Sequence, residues 1–338
     1  MNNIVTGLIL NWNGEEYLDA CVESVLNQSF RHLELLIVDN GSTDHSIENV
    51  EKNFPQVRLI RNNANLGFGG GNNVGIRTIT TPFILMLNND VTLDPYCVEK
   101  LHETIIRDQK TGSCASKILL KKMNNCVDAA GIAVCPDGLS IGRGRGEPAN
   151  SYSEPAEVFF ASDCCCLYRK EMLDEIGLYD ADFFAYAEET DLGWRAQLFG
   201  WRCMYVPEAI VYHHHSASAG SHSPFKAYLV ERNRIWLALK NFPVWLLAYG
   251  MLYSLVRYFW QAFGALAGKG RAGDFTKSYS AWKLVTVLLS AYVDAAKGLP
   301  RVLRQRRALW PQRKNKGTLL LSLLKHYGVS AKSIALRG

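Results

Sequence analysis

Short polar clusters that follow apolar runs hold the residues of this chain that could carry out chemistry. One of them, residues 88–90 (NND), comes directly after the apolar run 83–87. Such a run predicts a buried strand of a parallel sheet, and ligands of open α/β sheets bind outside the carboxyl ends of such strands. Asp90 could there hold a hard divalent cation, which in turn binds a diphosphate. Taken alone, the cluster is better explained by a turn before the next helix.

A second acidic cluster, residues 188–191 (EETD), puts three carboxylates at a predicted helix start. Acidic residues are common in the first turn of a helix because they interact favourably with its dipole. Crowded carboxylates also raise one another's pKa, which suits a general base. Both interpretations stay open from these residues alone.

Residues 213–215 are three consecutive histidines that follow strand-like residues. Alternate side chains of a strand point to opposite faces, so one or two of the three at most could share a metal ion. A histidine triplet is more often solvated or packed than a metal ligand. The metal interpretation gains weight only if one ring meets Asp90.

The glycine-rich stretch 67–71 (GFGGG) raises the alternative of a dinucleotide-binding fingerprint. It lacks the third glycine of G-x-G-x-x-G and does not follow the first predicted strand, which disfavours NAD. A glycine-rich helix opening still suits close approach of the main chain to a phosphate or a base.

Strands and helices alternate over the first 90 residues, which predicts a parallel, doubly wound α/β unit. After Asp90 the pattern changes to a helix, then strands and loops with a mobile Gly-Arg run, and later a helix and a strand. The predicted strands are 4–10, 33–38, 57–60, 83–87, 203–206 and 209–212; the predicted helices are 15–28, 44–53, 67–79, 94–108, 188–198 and 225–240; the Gly-Arg run is 142–146.

The last third of the chain differs in charge, and we place a domain boundary between 1–224 and 225–338. Residues 232–338 hold 19 of the 37 Lys and Arg residues but two of the 32 acidic ones. This asymmetry indicates an anionic surface as partner. Basic clusters beside apolar helices favour anionic lipid headgroups, and we expect no nucleic acid as partner. A helical bundle with a solvated basic face is the remaining alternative.

The apolar segment 242–268 is long enough to cross a bilayer. Its proline, glycines and many aromatic residues, together with its one charge, Arg257, favour a helix lying in the membrane interface instead. The sequence therefore predicts a peripheral location on the membrane, with insertion through 242–268 as the alternative.

Nine cysteines, an odd number without a C-x-x-C pair, include three consecutive ones at 164–166. That arrangement suits neither a disulfide framework nor a zinc site. We interpret them as reduced thiols of a protein that faces the cytosol. The amino terminus lacks the basic and apolar regions of a signal peptide. Together these features predict the cytoplasmic side of the cell membrane.

Six stretches together resemble the inverting glycosyltransferases of family 2, which have the nucleotide-sugar-binding GT-A fold, a parallel-rich central sheet with helices on both faces. They cover roughly residues 4–235 in the family's order and spacing, which is more specific than any single motif. The chain is similar to the rhamnosyltransferase-type members of bacterial cell-surface polysaccharide assembly, which have a membrane-associating carboxy-terminal region. The stretches are ILNWNGEEYLDACVESVLNQ, IVDNGSTD, NANLGFGGGNNVGI, ILMLNNDV, SDCCCLYRKEMLDEIGLYDADFFAYAEETDLGWRAQLFGWR and VYHHHSASAG.

The resemblance implies a nucleotide pocket and a metal site. Asp39 matches the acidic residue that hydrogen-bonds the pyrimidine base. Asp90 matches the last carboxylate of the D-x-D motif and would bind Mg²⁺ or Mn²⁺, with His213 completing the site. Asn88 stands at the first position of that motif, so one metal-facing charge is missing. The remaining residues implied for the nucleotide pocket are Asn11, Asn13, Gly67, Asn72, Asn73 and Asn89.

The resemblance also implies a base and an acceptor site. Glu189 matches the catalytic base of the family's E-D motif, while Glu188 and Asp191 stay open as alternatives. Asp163 stands where many members have glycine, in the stretch that shapes the acceptor site.

The expected reaction is a single displacement that inverts the anomeric centre. The best candidate donor is dTDP-L-rhamnose, and the acceptor a lipid-linked or cell-surface glycan. UDP-N-acetylglucosamine or a UDP-hexose is the alternative donor. A sugar-nucleotide nucleotidyltransferase is disfavoured, because residues 11–16 (NWNGEE) are acidic where those enzymes carry a basic glycine-rich loop. An inactive membrane-binding scaffold is the third alternative.

Overall fold

Alternating strands and helices make up the amino-terminal part of the chain, and the described elements that follow its last long strand are helices. The computed structural model describes residues 4–121, 126–214 and 223–315, and residues 322, 324–325 and 327–336. The strands are β1 Val5–Asn11, β2 Leu33–Asp39, β3 Arg58–Arg61, β4 Phe83–Asn88, β5 Val91–Leu93, β6 Thr111–Leu120, β7 Val127–Ala129, β8 Ile132–Val134, β9 Ser140–Gly142, β10 Ala156–Val158, β11 Cys165–Arg169 and β12 Arg202–His213. The helices are α1 Leu18–Leu26, α2 Ser46–Asn53, α3 Gly67–Ile76, α4 Cys97–Ile105, α5 Lys170–Ile176, α6 Glu188–Phe199, α7 Pro224–Asn241, α8 Val244–Ala267, α9 Gly270–Ser278, α10 Ala281–Lys297, α11 Leu299–Leu309 and α12 Ala331–Leu336.

The central sheet has ten strands. Eight of them follow one another in the order β10-β12-β6-β11-β4-β1-β2-β3, while β5 pairs with β12 and β7 pairs with β6. β3, β2, β1 and β4 run parallel, and β11 is antiparallel to both β4 and β6. The predicted α/β architecture around a central sheet is confirmed, and the sheet is mixed rather than parallel throughout. β8 and β9 form a separate two-stranded sheet.

The glycines of α3 bring that helix close to the parallel strands. A Cβ atom added at Gly75 would lie 2.5 Å from Leu8 Cδ1, and one added at Gly71 would lie 2.5 Å from Leu10 Cδ1. Because Gly67, Gly71 and Gly75 are four residues apart, they fall on one face of the helix. The glycine-rich stretch thus serves close helix–sheet packing.

β6, with ten residues, is the longest of the strands that the sequence pattern did not single out. It lies between β11 and β12 and is buried along almost its whole length. Its sequence, TGSCASKILL, holds small residues where an apolar run would have indicated a central strand. One of these small residues, Gly112, is required by packing, since a Cβ atom there would collide with Met172 and come within 3.1 Å of Trp201.

The chain forms two compact units, Met1–Ile132 with Gly142–Ser216, and Ala133–Ile141 with Ala217–Gly338. The sequence analysis assigned the segment 133–141 to the first domain, whereas the structure groups it with the carboxy-terminal helices. One reason is Asp137 of this segment, which is 3% exposed and bonds to residues of α8.

A buried ionic network organises the second unit. Arg257 of α8 is fully buried, and its guanidinium donates to Asp137 Oδ2 at 2.8 Å and to Glu231 Oε1 at 2.9 Å. Arg234 of α7 donates to Glu231 Oε2 at 2.5 Å. Burial opposes the charge of Glu231, but the two arginines lower its pKa to about 2. Arg257, the one charged residue of the segment 242–268, is therefore a buried ion-pair partner of Asp137 and Glu231.

With Arg257 turned inward, α8 exposes a face that is almost entirely apolar. Met251, Leu255 and Phe259 are each about two-thirds exposed. Trp282 and Leu289 of α10 are similarly exposed. None of the helices in the described residues combines the length and apolar character needed to cross a membrane.

We predict that Arg257→Ala lowers the free energy of unfolding by about 3–5 kcal/mol, because Asp137 and Glu231 would keep buried charges with one guanidinium fewer. Urea titration of the full chain measures this. The control is Lys297→Ala, whose exposed pair with Asp294 is screened by solvent, so its loss should leave the free energy of unfolding almost unchanged. Equal small losses in both variants would contradict the structural role of Arg257.

Candidate active site

The carboxyl ends of β1, β2 and β4 meet at one edge of the sheet. In the parallel register Asn11 pairs with Asp39, and Leu10 pairs with Asn88. β11 enters at the same edge in the opposite direction, because Asn88 N donates to Cys164 O at 3.1 Å. The polar clusters that follow these strands in the sequence therefore come together in space, as α/β geometry predicts.

The buried side chain of Asn11 links the segments that follow β2 and β4 at this edge. Its side chain is fully buried, donates to Ser46 Oγ at 2.9 Å, and accepts from Asn89 Nδ2 at 2.8 Å. Asn13, which has a φ of 52°, accepts from Thr43 N at 2.8 Å. The side chains of these three predicted nucleotide-binding asparagines therefore fix the loops at this edge of the sheet relative to one another.

Asp39 closes the loop after β2. Its Oδ1 accepts from Ser42 N at 3.2 Å, and the side chain is 7% exposed. The adjacent Asn40, which the sequence analysis did not single out, donates to Asn65 Oδ1 at 3.0 Å and accepts from Leu66 N at 3.1 Å. Asn40 thereby ties this loop to the start of α3.

The asparagine pair of α3 points toward the segment before α6. Asn73 Nδ2 donates to Tyr179 O at 2.8 Å, and Tyr179 N donates to Asn73 Oδ1 at 3.0 Å. Both ends of this amide are thus engaged by the main chain, which gives Asn73 a positioning role. Asn72 differs, because its Oδ1 is buried without a hydrogen-bond partner.

Gly67 is required by a close contact at the start of α3. Its φ is 74°, and a Cβ would collide with the carbonyl oxygen of Phe184. Phe68 N donates to that oxygen at 2.6 Å. Phe184, Tyr186 and Ala187 all have positive φ values between 66° and 70° just before α6. Gly67 therefore serves the main-chain path that leads to the acidic cluster.

Asp90 and His213 come together, as predicted. His213 ends β12, opposite Val91 of β5, and its Nε2 lies 3.3 Å from Asp90 Oδ1. Asp128 of β7 lies on the other side of the ring, with Oδ2 2.7 Å from Nδ1. Burial works against a charged ring, but Cys164 and hydrogen bonds to both carboxylates raise the pKa of His213 well above its usual value. His215 lies outside the described residues.

This pair fits a divalent cation whose remaining ligands come from outside the protein. A carboxylate oxygen and an imidazole nitrogen 3.3 Å apart are spaced like two ligands of one ion. The described residues form no group of three or more His, Cys, Asp or Glu side chains around a common point. Ions such as Mg²⁺ characteristically bind through one or two protein ligands plus substrate phosphates and water.

A cluster of buried carboxyl groups lies at the start of α6. Asp163 N donates to Glu189 Oε2 at 2.9 Å, which attaches Glu189 to the strand end beside Asn88. Tyr168 donates its hydroxyl to Asp163 Oδ1 at 2.6 Å. Asp163 Oδ2 and Glu188 Oε2 are buried without hydrogen-bond partners.

Burial raises the pKa of each of these carboxyl groups toward neutral pH. It raises the pKa of Asp163 to about 6 and that of Glu188 to about 7. Burial and the charge of Asp163 together raise the pKa of Glu189 to about 8. A carboxylate with a pKa near neutrality suits proton abstraction from a hydroxyl group.

Asp191 is not placed to act as the base, contrary to one of the sequence alternatives. It is fully buried, and its Oδ2 accepts from Arg195 Nε at 2.9 Å. Arg195 also donates to the carbonyl oxygens of Ile176 and Leu178. The pair fixes α6 to the loop that follows α5, so its function is structural.

Sequence reasoning missed Asp128 and Tyr168 as parts of the site. Asp128 is a single acid within the apolar stretch CVDAAGIAV, a signal that could have marked it as buried and functional. Tyr168 is an ordinary aromatic residue of β11, and only its contact with Asp163 reveals its role.

Comparison with known proteins agrees with this geometry. The profile of "Glycosyl transferase family 2" matches residues 8–177, half of the chain. N-acetylglucosaminyl-diphospho-decaprenol L-rhamnosyltransferase of Mycobacterium tuberculosis is 25% identical over 269 residues, covering 70% of this chain and 87% of that protein. Chondroitin synthase of Escherichia coli is 36% identical over 99 residues, which is 28% of this chain and 14% of that protein.

Solved structures share the fold. Residues 1–349 of S. aureus TarS superimpose with a TM-score of 0.57 at 17% identity, covering 98% of this chain and 91% of that one. GalNAc-T7, solved with UDP, GalNAc and Mn²⁺, gives a TM-score of 0.57 at 16% identity, covering 71% of this chain and 48% of that one. The chain therefore belongs to glycosyl transferase family 2 and is a glycosyltransferase with the GT-A fold.

Proposed function

We propose that this glycosyltransferase moves L-rhamnose from dTDP-L-rhamnose to a hydroxyl group of a lipid-linked glycan, with inversion at the anomeric carbon. The observation that carries the proposal is the placement of Glu189, whose carboxylate is attached through Asp163 N to the strand end beside Asn88. A base and a cation site then lie at the same edge of the sheet, the base at the start of β11 and the cation site where Asp90, after β4, meets the end of β12.

Each residue has a defined part in the single displacement. Glu189 takes the proton of the acceptor hydroxyl as its oxygen forms the new bond to the anomeric carbon. The bond from that carbon to the diphosphate breaks, and the electron pair leaves with the diphosphate. A divalent cation held by Asp90 and His213 would neutralise the charge on this leaving group. Asp39 would bind the nucleobase, since its second carboxylate oxygen is not used in closing the loop.

The choice of sugar and acceptor rests on the mycobacterial relative, whose name gives an L-rhamnosyl group and a diphospho-decaprenol acceptor. A UDP-sugar is the second candidate donor, because TarS is also solved with UDP, with a TM-score of 0.55. Both donors use the same residues in the same roles, and Mg²⁺ or Mn²⁺ is the proposed cofactor.

We further propose that the second unit binds the cytoplasmic face of the membrane peripherally. Its α8 and α10 expose apolar side chains, and residues 232–338 carry a large excess of basic residues. Apolar helix faces combined with basic residues bind anionic bilayers by adding hydrophobic burial to electrostatic attraction. Such a location suits an enzyme whose acceptor is a lipid.

The function is tested by transfer assays with radiolabelled dTDP-rhamnose, UDP-N-acetylglucosamine and UDP-glucose, with and without Mn²⁺, on a lipid-linked acceptor. We expect Glu189→Gln to lower the rate roughly 100-fold or more while the variant still binds the nucleotide, since only the proton acceptor is lost. The control Glu154→Gln changes an exposed carboxylate and should keep the wild-type rate. An active Glu189→Gln beside an inactive Glu188→Gln would assign the base to Glu188.

Glu188→Gln should also stabilise the protein at alkaline pH. In the folded state the Glu188 pKa is about 7, above its value of 4.5 in an unfolded chain. As pH rises from 4.5 to 7, the unfolded chain loses this proton before the folded one, so the wild type loses stability. We expect the free energies of unfolding of variant and wild type to differ little at pH 4.5. At pH 8 that of the variant should be higher by on the order of 2 kcal/mol. Urea titrations at both pH values measure it, and a difference that does not change with pH would refute the buried proton.

Membrane binding is tested by flotation with vesicles of phosphatidylglycerol or of phosphatidylcholine alone. The wild type should float with the anionic vesicles, and the triple variant Met251→Glu, Leu255→Glu, Phe259→Glu should not, because charged side chains would have to enter the apolar layer. The control Ile106→Glu changes an equally exposed apolar residue of the first unit. Equal flotation of the triple variant and the control would place the binding surface elsewhere.

A further inference from the structure

The histidine of the candidate metal site is held on both sides by carboxylates. Asp128 Oδ2 lies 2.7 Å from His213 Nδ1, while Asp90 Oδ1 lies 3.3 Å from Nε2. Asp128 is 6% exposed, and its other oxygen is paired with the guanidinium of Arg145. Arg145, Asp128, His213 and Asp90 thus form one continuous polar chain within the first unit.

The Gly-Arg run, which sequence analysis expected to be mobile, is the segment that delivers Arg145. It forms a hydrogen-bonded turn on β7, because Gly146 N donates to Val127 O at 2.8 Å and Ala130 N donates to Arg143 O at 2.9 Å. Gly144 and Gly146 have φ values of 79° and 78°, in the region that favours glycine. The two glycines thus allow the turn that places Arg145 beside Asp128.

The contact between Asp128 and Nδ1 decides which ring nitrogen faces Asp90. A carboxylate accepts a hydrogen bond, so Nδ1 carries the proton and the lone pair of a neutral ring is left on Nε2. Nε2 is the nitrogen on the Asp90 side. Histidines that bind metals are generally fixed in this way by a carboxylate or carbonyl on the other nitrogen.

We propose that Asp128, itself held by Arg145, is a positioning residue of the metal site, which fixes the ring orientation and the tautomer of His213 so that Nε2 and Asp90 face one divalent cation. This inference rests on the metal site proposed above. It assigns a purpose to Arg145 and Asp128, neither of which would touch the substrate or the cation.

The first measurement is made on the metal-free full chain. In ¹⁵N-labelled protein the His213 ring signal is identified by its loss in His213→Asn. The wild type should show a hydrogen-bonded Nδ1 proton, and Asp128→Ala should lose that signal because Nδ1 no longer has its acceptor. Asp128→Asn keeps the shape of the side chain, so it should change the signal without unfolding the protein. Asp90→Ala should leave the Nδ1 signal in place.

The second measurement is the affinity for Mn²⁺ alone, read from the electron paramagnetic resonance signal of unbound Mn²⁺. We expect Asp128→Ala to weaken binding roughly 10- to 100-fold, as losses of such supporting carboxylates do. Arg145→Ala should shift both readouts in the same direction by less. The matched control is Asp108→Asn, another aspartate paired with an arginine, Arg202, whose change should leave both readouts as in the wild type.

The two measurements separate the possible failures. An Asp128→Ala variant with the wild-type ring signal and the wild-type Mn²⁺ affinity overturns the role of Asp128 and leaves the metal site standing. A wild type whose Mn²⁺ affinity equals that of Asp90→Ala overturns the metal site, and the inference with it.

Discussion

The hydrogen bond from the main-chain amide of Asp163 to the carboxylate of Glu189 attaches the start of α6 to the sheet edge. Much of the surrounding structure serves to make that contact possible. Asp191 and Arg195 anchor α6 to the loop after α5, and Asn73 binds the main chain of Tyr179 just before the turn that leads into α6. Glu189, the proposed base, is therefore positioned by main-chain hydrogen bonds and by the buried ion pair of Asp191 with Arg195.

The path into α6 is strained, and the strain is supported by neighbouring packing. Three residues without glycine's freedom, Phe184, Tyr186 and Ala187, adopt positive φ values within four positions. Such conformations cost of the order of 1–3 kcal/mol each and persist only where the surroundings enforce them. Gly67 supplies part of that enforcement, since the absence of its side chain lets Phe184 O approach the start of α3 and accept from Phe68 N. The strained residues directly precede Glu188 and Glu189, and they fix the main chain that carries these two carboxyl groups.

Two buried glutamates have opposite pKa shifts, and the difference follows from their partners. Glu231 has two arginines within hydrogen-bond distance, which lower its pKa to about 2 despite burial. Burial instead raises the pKa of Glu188 to about 7, and one of its oxygens has no hydrogen-bond partner. The charge of Glu231 is compensated and contributes to structure. The uncompensated burial of Glu188 costs stability but leaves an acid that can exchange a proton near neutral pH.

Sequence pattern predicted the elements that follow simple periodicity, and it was incomplete where residues have roles set by distant partners. The strand before Asp90 and the helix from Glu188 were visible because apolar runs and acidic first turns are local signals. β6 was not singled out, because its first half is made of small residues, of which Gly112 is required by close packing against Met172 and Trp201. Asp191 looked like a third candidate base until its ion pair with Arg195 became visible, and Asp128 is brought to His213 from 85 residues away.

The spacing of glycines in the stretch 67–75 could have predicted the role of these residues. A phosphate-binding loop would need its main-chain amides directed to a ligand at the helix start. Here the spacing of Gly67, Gly71 and Gly75 places them on one helix face, and Gly71 and Gly75 pack where Leu8 and Leu10 leave no room for a Cβ. The four-residue period was present in the sequence and argues for packing of α3 on the sheet. Because these glycines are used for packing, the structure weakens the NAD interpretation on physical grounds independent of any relative.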